Sequence, residues 1–329
     1  MKSFPPETVI EKLLAAGKVL LLTHLRPDGD ALGSTFGMRE FLRAQGIGAQ
    51  VLIPCELPRR YTGMCRDYAV SLSQAELDGF DLVLALDCAN EARLGCGDFT
   101  PEDLRRKNFI CIDHHRGNSL EAGESWIYPE AASTCQMVMQ LIAAAELPLP
   151  PESATFLLTG MMTDTGCFCF SNTGGECLRA AAMAVDAGAD IEKIANNIFF
   201  SKPLNQLKFE AELIETQLRT VCNGAVAYAC VTGDLLKKYG FDLREDEGLI
   251  DILRGLEGVI IAMLVHRRED GWRISLRSKD SRFPVVDIAR KFGGGGHTMA
   301  AGCTVDVPEF AGVENLLIPE FEKLLSGEK

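Results

Sequence analysis

The sequence has no Cys-x-x-Cys pair among its 12 cysteines. That absence argues against a zinc ribbon and a thioredoxin-type redox pair. Most of the thiols, Cys88, Cys111 and Cys230 among them, lie in apolar runs, where cysteine behaves as a small hydrophobe. No stretch of about 18 predominantly apolar residues is free of polar interruption, so no membrane span is expected. The chain opens MKSFPPETVIEKLL, with acids early and no secretory apolar region. Together with reduced thiols, that opening fits a cytoplasmic location. Basic charge is in deficit: 33 Lys and Arg stand against 46 Asp and Glu, a net charge of −13. A general polynucleotide binder needs a broad basic surface to displace counterions, so long nucleic acid is disfavoured. Aromatic residues make up only 7%, and no interleaved basic and aromatic track for a long single strand is visible.

What is present is ordinary globular chemistry, 47% hydrophobic and 24% charged over 329 residues. At roughly 150 residues per domain, two domains are expected. The first half alternates apolar runs with helical patterns. Lys18–His24, Ile47–Ile53, Phe80–Asp87 and Phe109–Asp113 read as buried strands. Ala31–Gln45, Ser133–Glu146, Glu152–Met162 and Gly175–Ala187 read as helices. This alternation predicts an α/β fold with a doubly wound parallel sheet over residues 1–190. Residues 191–220 read as a helical connector interrupted at Pro203. A smaller α/β domain over 221–329 follows, with strands at Ala225–Val231, Val259–His266 and Trp272–Ser278. Its helices are expected at Asp234–Tyr239, Glu245–Arg254, Val285–Phe292 and Val313–Leu325.

The polar residues that interrupt this pattern stand where strands end. His24, Asp28 and Asp30 follow the first apolar run within seven residues. Asp87 ends LVLALD, Asp113-His114-His115 ends FICI, and Asp164 falls just beyond a helix. Parallel strands of one sense bring such residues to one edge of the sheet, where open α/β folds bind ligands. The plainer reading of the first cluster, with Asp30 as a helix cap and His24 as packing, accounts for that segment alone. Four crowded carboxylates would repel one another, whereas two divalent cations would balance Asp28, Asp30, Asp87 and Asp164. Imidazole among carboxylates favours manganese over magnesium or calcium, with cobalt also compatible.

Taken in order, His24-x-x-x-Asp28-x-Asp30, Asp87, Asp113-His114-His115 and Asp164 resemble the four motifs of the DHH phosphoesterase family. Gly293-Gly294-Gly295-Gly296-His297, followed by Met299-Ala300-Ala301-Gly302, resembles the glycine-rich signature of its DHHA1 partner domain. The resemblance implies His24 and Asp28 on one metal, Asp30, His114 and Asp164 on the other, and Asp87 between them. It places His115 against the substrate phosphate, with Asp113 orienting the triplet. Ala132-Ser133-Thr134-Cys135 resembles a family stretch near the site, and Ser133 reads equally well as a helix N-cap. Hydroxide generated between two metals about 3.5–4 Å apart would then attack phosphorus in line. His115 would stabilise the developing charge or protonate the leaving group.

In the second domain, Gly294, Gly295 and Gly296 are expected to expose backbone N–H groups to a ligand as an anion nest, with His297 adding a donor. Alternation along Trp272–Ser278 puts Arg273, Ser275 and Arg277 on one face and Ile274 and Leu276 on the other. Arg277 and Ser278 are expected at a nucleotide's phosphate or sugar, and Arg116 and Asn118 at phosphate or base. His266 reads as structural.

The activity implied is metal-dependent hydrolysis of short oligoribonucleotides and of 3′-phosphoadenosine 5′-phosphate. The rival is a phosphodiesterase for cyclic or linear dinucleotides of the cyclic di-AMP type, which shares every motif. A catalytically silent nucleotide-binding protein is the alternative of a different class, and the complete ligand set argues against it. A homodimer through the first domain or the connector is compatible with the sequence, with no residue to carry it.

Overall fold

The computed structural model describes residues 4–120, 122–243 and 248–327, which form two compact units dividing between Ser201 and Lys202. The first runs α1 (Glu7–Ala15), β1 (Lys18–Leu22), α2 (Gly29–Ala44), β2 (Gly48–Val51), α3 (Arg59–Thr62) and α4 (Gln74–Asp78). It continues through β3 (Leu82–Leu86), α5 (Pro101–Arg105), β4 (Asn108–Asp113) and β5 (Glu124–Ile127). Four helices follow: α6 (Thr134–Ala144), α7 (Pro151–Asp164), α8 (Gly175–Asp186) and α9 (Ile191–Ile198).

All five strands are parallel, in the order β2-β1-β3-β4-β5. Between their end residues the central strands β1, β3 and β4 are apolar because both of their faces are covered. Val19 and Leu21 enter a core shared with α2, α6 and α7, whereas Leu20 and Leu22 enter a second core with Leu77 of α4 and Leu104 of α5. The doubly wound sheet is therefore as expected. The chain passes from β2 on one side of β1 to β3 on the other, so a crevice opens at the carboxyl ends of β1 and β3.

The tightest packing lies between α2 and α7. Gly29, Gly33 and Gly37 recur every four residues along one face of α2. A Cβ on Gly33 would stand 2.6 Å from the Phe156 carbonyl oxygen, and one on Gly37 would stand 2.7 Å from Leu157. From the other side, a Cβ on Gly160 of α7 would meet the Asp30 backbone at 3.0 Å. Small residues thus let the two backbones approach, and this brings Asp30 at the start of α2 beside Asp164 at the end of α7.

The stretch 191–220 divides between the units. Ile194 and Ile198 of α9 pack into the first core, while Phe209 and Leu213 of α10 (Leu204–Gln217) pack into the second unit. That unit continues with β6 (Arg219–Val221), β7 (Val226–Val231), α11 (Gly233–Tyr239) and α12 (Leu249–Arg254). Of the helix expected over Glu245–Arg254, residues 245–247 lie outside the described residues. Then come β8 (Ile261–Arg268), β9 (Gly271–Ser278), α13 (Val285–Lys291), β10 (Gly295–His297), β11 (Ala300–Val305) and α14 (Phe310–Ser326).

The second sheet has the order β10-β11-β9-β8-β7-β6, with only β7 and β8 parallel. Here the glycine segment differs from an open loop. Gly295 and Gly296 pair with Gly302 and Ala301 as the outer arm of a hairpin. A Cβ on Gly294 would stand 2.2 Å from the Gly302 carbonyl oxygen, and one on Gly296 would stand 2.4 Å from that of Ala300. These two glycines admit the close approach of β11, and only Gly295 of the three borders open space.

Candidate functional site

Asp28 opens α2: its side chain accepts from the Ala31 N–H at 3.1 Å, so Asp28, not Asp30, is the helix cap. Asp30 is buried at 1% exposure and its carboxylate accepts two backbone N–H groups of the α6 N-terminus, Thr134 at 2.6 Å and Cys135 at 2.9 Å. Ser133 caps that same helix through the Gln136 N–H. Both readings of the 132–135 stretch therefore hold at once, because a capped helix start is also an anion-holding end. The Thr134 hydroxyl adds a bond to Asp87 Oδ1 at 3.0 Å. Asp164 is the last residue of α7 rather than a residue beyond it, and Asn172 grips its carbonyl oxygen at 3.1 Å.

These elements assemble two clusters that share one carboxylate. His24 Nε2 lies 3.8 Å from Asp28 Oδ2 and 3.7 Å from Asp87 Oδ2. His114 Nε2 lies 3.4 Å from Asp164 Oδ2, 3.5 Å from Asp87 Oδ1 and 3.8 Å from Asp30 Oδ2. Within His24–Asp28–Asp87, and again within Asp30–His114–Asp164, the candidate ligand atoms all fall within 4.8 Å of one another. Asp87 adopts φ 55°, a left-handed conformation uncommon for a residue with a side chain. That bend at the end of β3 turns its carboxylate between the two histidines, a local strain of the kind found at functional sites.

The imidazoles are oriented alike. His24 Nδ1 faces the Leu25 carbonyl oxygen at 2.9 Å, and His114 Nδ1 faces that of Ala131 at 3.4 Å. A proton on each Nδ1 leaves the Nε2 lone pair directed at the carboxylates, the posture of a metal-ligating histidine with a carbonyl behind it. The Arg93 guanidinium also reaches His24 Nδ1, at 3.2 Å, a neighbour with no signal in the sequence reading. Burial, followed by the charge of Asp30, pushes Asp87 up to about 7. Carboxylates this crowded and this dry fit a divalent cation, which would neutralise the repulsion.

His115 is arranged differently. Its Nδ1 meets Asp113 Oδ1 at 2.7 Å, and Asn118 donates to the other oxygen, Oδ2, at 2.5 Å. Burial alone would lower His115, but the bond to Asp113 and the charge of Asp87 outweigh it and raise it to about 9. Asn118, expected at substrate, also donates to the Cys88 carbonyl oxygen at 3.0 Å, so its amide serves to fix Asp113. Arg116 is exposed and points toward Glu130 at 3.8 Å.

In the second unit Arg277 and Ser278 do not share a face. Period-two alternation puts Ser278 with Ile274 and Leu276, and all three are buried. The Ser278 hydroxyl donates to the Asp280 carbonyl oxygen at 2.9 Å and accepts from the Asp280 N–H. Arg277 lies on the opposite face with Arg273 and Ser275, all half-buried. His297 closes the short strand β10, paired with Ala300. His266 accepts from the Arg268 guanidinium at 3.0 Å, which suits a structural imidazole.

Compared with known proteins, residues 18–161 match the DHH family, N-terminal domain, and residues 223–324 the DHHA1 domain. A curated relative from Thermus thermophilus is 30% identical over 294 residues, covering 88% of this chain and 84% of its own. The chain belongs to the DHH family. That Thermus protein is named bifunctional oligoribonuclease and PAP phosphatase NrnA, as is a Bacillus subtilis relative 25% identical over 87% of this chain and 89% of its own. The crystal structure of an exopolyphosphatase-related protein from Bacteroides fragilis, 24% identical, superposes with a TM-score of 0.86 over 98% of each chain. It has the same fold. As a member of the DHH phosphoesterases, the chain is a metal-dependent phosphohydrolase. Among the described residues, no helix is long and apolar enough to cross a membrane.

Proposed function

We propose that this DHH-family enzyme degrades short oligoribonucleotides and removes the 3′-phosphate of 3′-phosphoadenosine 5′-phosphate in the cytoplasm, with two divalent ions, manganese foremost. The observation that carries the reading is the buried carboxylate of Asp87 shared by two histidine–carboxylate clusters. Its substrate class is supported by the names of the Thermus and Bacillus relatives.

In this reading His24 and Asp28 hold one ion, Asp30, His114 and Asp164 hold the other, and Asp87 serves both. The ions, when bound, supply Lewis acidity for the phosphoryl group and for the attacking water. The choice of manganese rests on imidazole ligands among carboxylates. His115, held in its charged form by Asp113, donates a hydrogen bond to a phosphoryl oxygen or a proton to the leaving oxygen. Asp113 and Asn118 position it, and Arg116 offers a cation to a neighbouring phosphate. The first unit is then the catalytic domain. In the second, Arg277, the backbone of Gly295 with its flanking Gly294 and Gly296, and His297 contact the nucleotide, while Ser278 acts through the Asp280 turn.

The acidic balance supports short ligands: phosphate is drawn by bound cations and a few local side chains, without a track for a long strand. The test is a substrate panel with purified protein and added manganese: a dinucleotide, a pentamer, an RNA of about twenty nucleotides, 3′-phosphoadenosine 5′-phosphate, cyclic di-AMP and pyrophosphate. The expected result is rapid turnover of the dinucleotide, the pentamer and the nucleotide 3′-phosphate. Preference for the longest RNA would overturn the short-ligand reading, and preference for cyclic di-AMP would make the enzyme a cyclic dinucleotide phosphodiesterase.

A further inference from the structure

The second sheet is covered unevenly. On one face, Ala227, Ala229 and Val231 of β7 and Ala262 and Leu264 of β8 pack against α10, α11 and α12. Strands β9 and β11 add nothing to that core. Their apolar side chains, Ile274, Leu276, Ala301, Cys303 and Val305, enter the core on the opposite face. On the first face they present Arg273, Ser275 and Arg277 from β9, with Ala300, Gly302 and Thr304 from β11. The register sets His266, Arg273 and Thr304 side by side across β8, β9 and β11, with Ser275 beside Gly302 in the next row.

Arg273 is seated there without a partner. A Cβ on Gly302 would stand 2.7 Å from Arg273 Nη2 and 3.1 Å from its Cζ, so the glycine lets the guanidinium lie against β11. The side chain is half-buried, yet among the described residues it makes no hydrogen bond or ion pair within the chain. Glu269, Asp270 and Asp306, the acids nearest along these strands, do not pair with it among the described residues. The hydroxyls of Ser275 and Thr304 are likewise unpartnered among the described residues. A guanidinium offers five donors in a rigid fork that fits phosphate, and one already seated loses little freedom on binding.

We propose that Arg273, with the hydroxyls of Ser275 and Thr304, forms a phosphate subsite separate from the Arg277–His297 contact and takes a phosphodiester further along an oligonucleotide. The subsite rests on the oligoribonucleotide activity proposed for this enzyme. Arg273 and Arg277 stand four residues apart on one face of β9, about 13 Å along the strand. A single nucleotide does not span that distance, whereas a short oligomer does. The subsite therefore favours oligomers over 3′-phosphoadenosine 5′-phosphate and sets the balance between the two substrates.

Fluorescence anisotropy of a labelled RNA pentamer on the chelator-treated full chain reads binding without turnover. Arg273→Gln is expected to weaken pentamer binding about tenfold. It is also expected to reduce the slope of log affinity against log salt by about 0.7, the value of one phosphate contact on a single strand. Arg273→Lys keeps the charge, so it is expected to retain that slope while losing part of the affinity. In manganese, the preference of Arg273→Gln for the pentamer over 3′-phosphoadenosine 5′-phosphate is expected to fall about tenfold. Equal pentamer affinity and salt slope in wild type and Arg273→Gln would overturn the subsite. Equal losses for the pentamer and the mononucleotide would overturn it too, by making Arg273 part of the Arg277 contact or of the fold. A wild type that binds the pentamer through Arg273 and does not cleave it would overturn the proposed reaction and leave the subsite standing.

Discussion

The Thr134 hydroxyl hydrogen-bonds the carboxylate of Asp87 at 3.0 Å, while the backbone N–H of the same residue holds Asp30 at 2.6 Å. One residue at the start of α6 thereby ties together a carboxylate from the first turn of α2 and one at the end of β3. Removing the hydroxyl should loosen Asp87 without disturbing the bond to Asp30. Thr134→Val is therefore expected to weaken manganese binding by about ten- to a hundredfold, as is usual for groups that orient metal ligands. Thr134→Ser should stay near wild type. Isothermal titration calorimetry on chelator-treated protein reads the difference, and equal affinities for the Val and Ser variants would refute it.

Asp87 sets activity against stability. It is buried beside Asp30 in a left-handed backbone conformation that asparagine adopts readily. Asp87→Asn should cut phosphoester hydrolysis by more than about a hundredfold. It should also raise the melting temperature of chelator-treated protein, because a buried, repelled carboxylate is gone and no backbone strain is added. Scanning calorimetry in chelator against an activity assay in manganese checks both signs.

The α2–α7 contact should tolerate no added volume. Gly33→Ala would bring a methyl group to 2.6 Å from the Phe156 carbonyl oxygen and 2.9 Å from Cys135 Sγ. The helices must separate, at about 1–3 kcal/mol for overpacking. Asp30 and Asp164 would move apart with them, so denaturant midpoint and metal affinity should fall together. Loss of stability with unchanged metal affinity would show that the two are not coupled.

His266 predicts a pH dependence that belongs to the second unit. Burial, followed by the charges of Arg268 and Arg273, lowers it to about 4. Between that value and its ordinary 6.5 the unfolded chain binds the extra proton, so stability is complete above pH 6.5 and declines as pH falls toward 4. His266→Gln should flatten that decline in urea melts followed at the Trp272 fluorescence, which lies in the neighbouring strand β9. An unchanged slope would mean that His266 titrates normally.

Much of the first unit was legible because buried parallel strands must be apolar on both faces. The runs around Leu20, Leu84 and Ile110 stand out for that reason, and the end residues Asp87 and Asp113 mark where each strand leaves the core. Strand β5 was not legible, since an edge strand of four residues with a glutamate and a serine lacks a continuous apolar run. The glycine hairpin was misread for a related reason. Consecutive glycines signal backbone freedom, but only the partner strand shows that Gly294 and Gly296 use it to admit β11.

The sequence by itself determined which chemistry is available: carboxylates and imidazoles placed at the carboxyl ends of apolar runs. Strand order could not be read from it, because pairing is set by contacts far apart along the chain. Nor could the roles of polar groups whose partners arrive from elsewhere. Asn118 turned to Asp113, Ser278 to Asp280 and Thr134 to Asp87. Each of these is a hydrogen bond decided by where the folded backbone leaves a donor and an acceptor within reach, and only the tertiary structure fixes that distance.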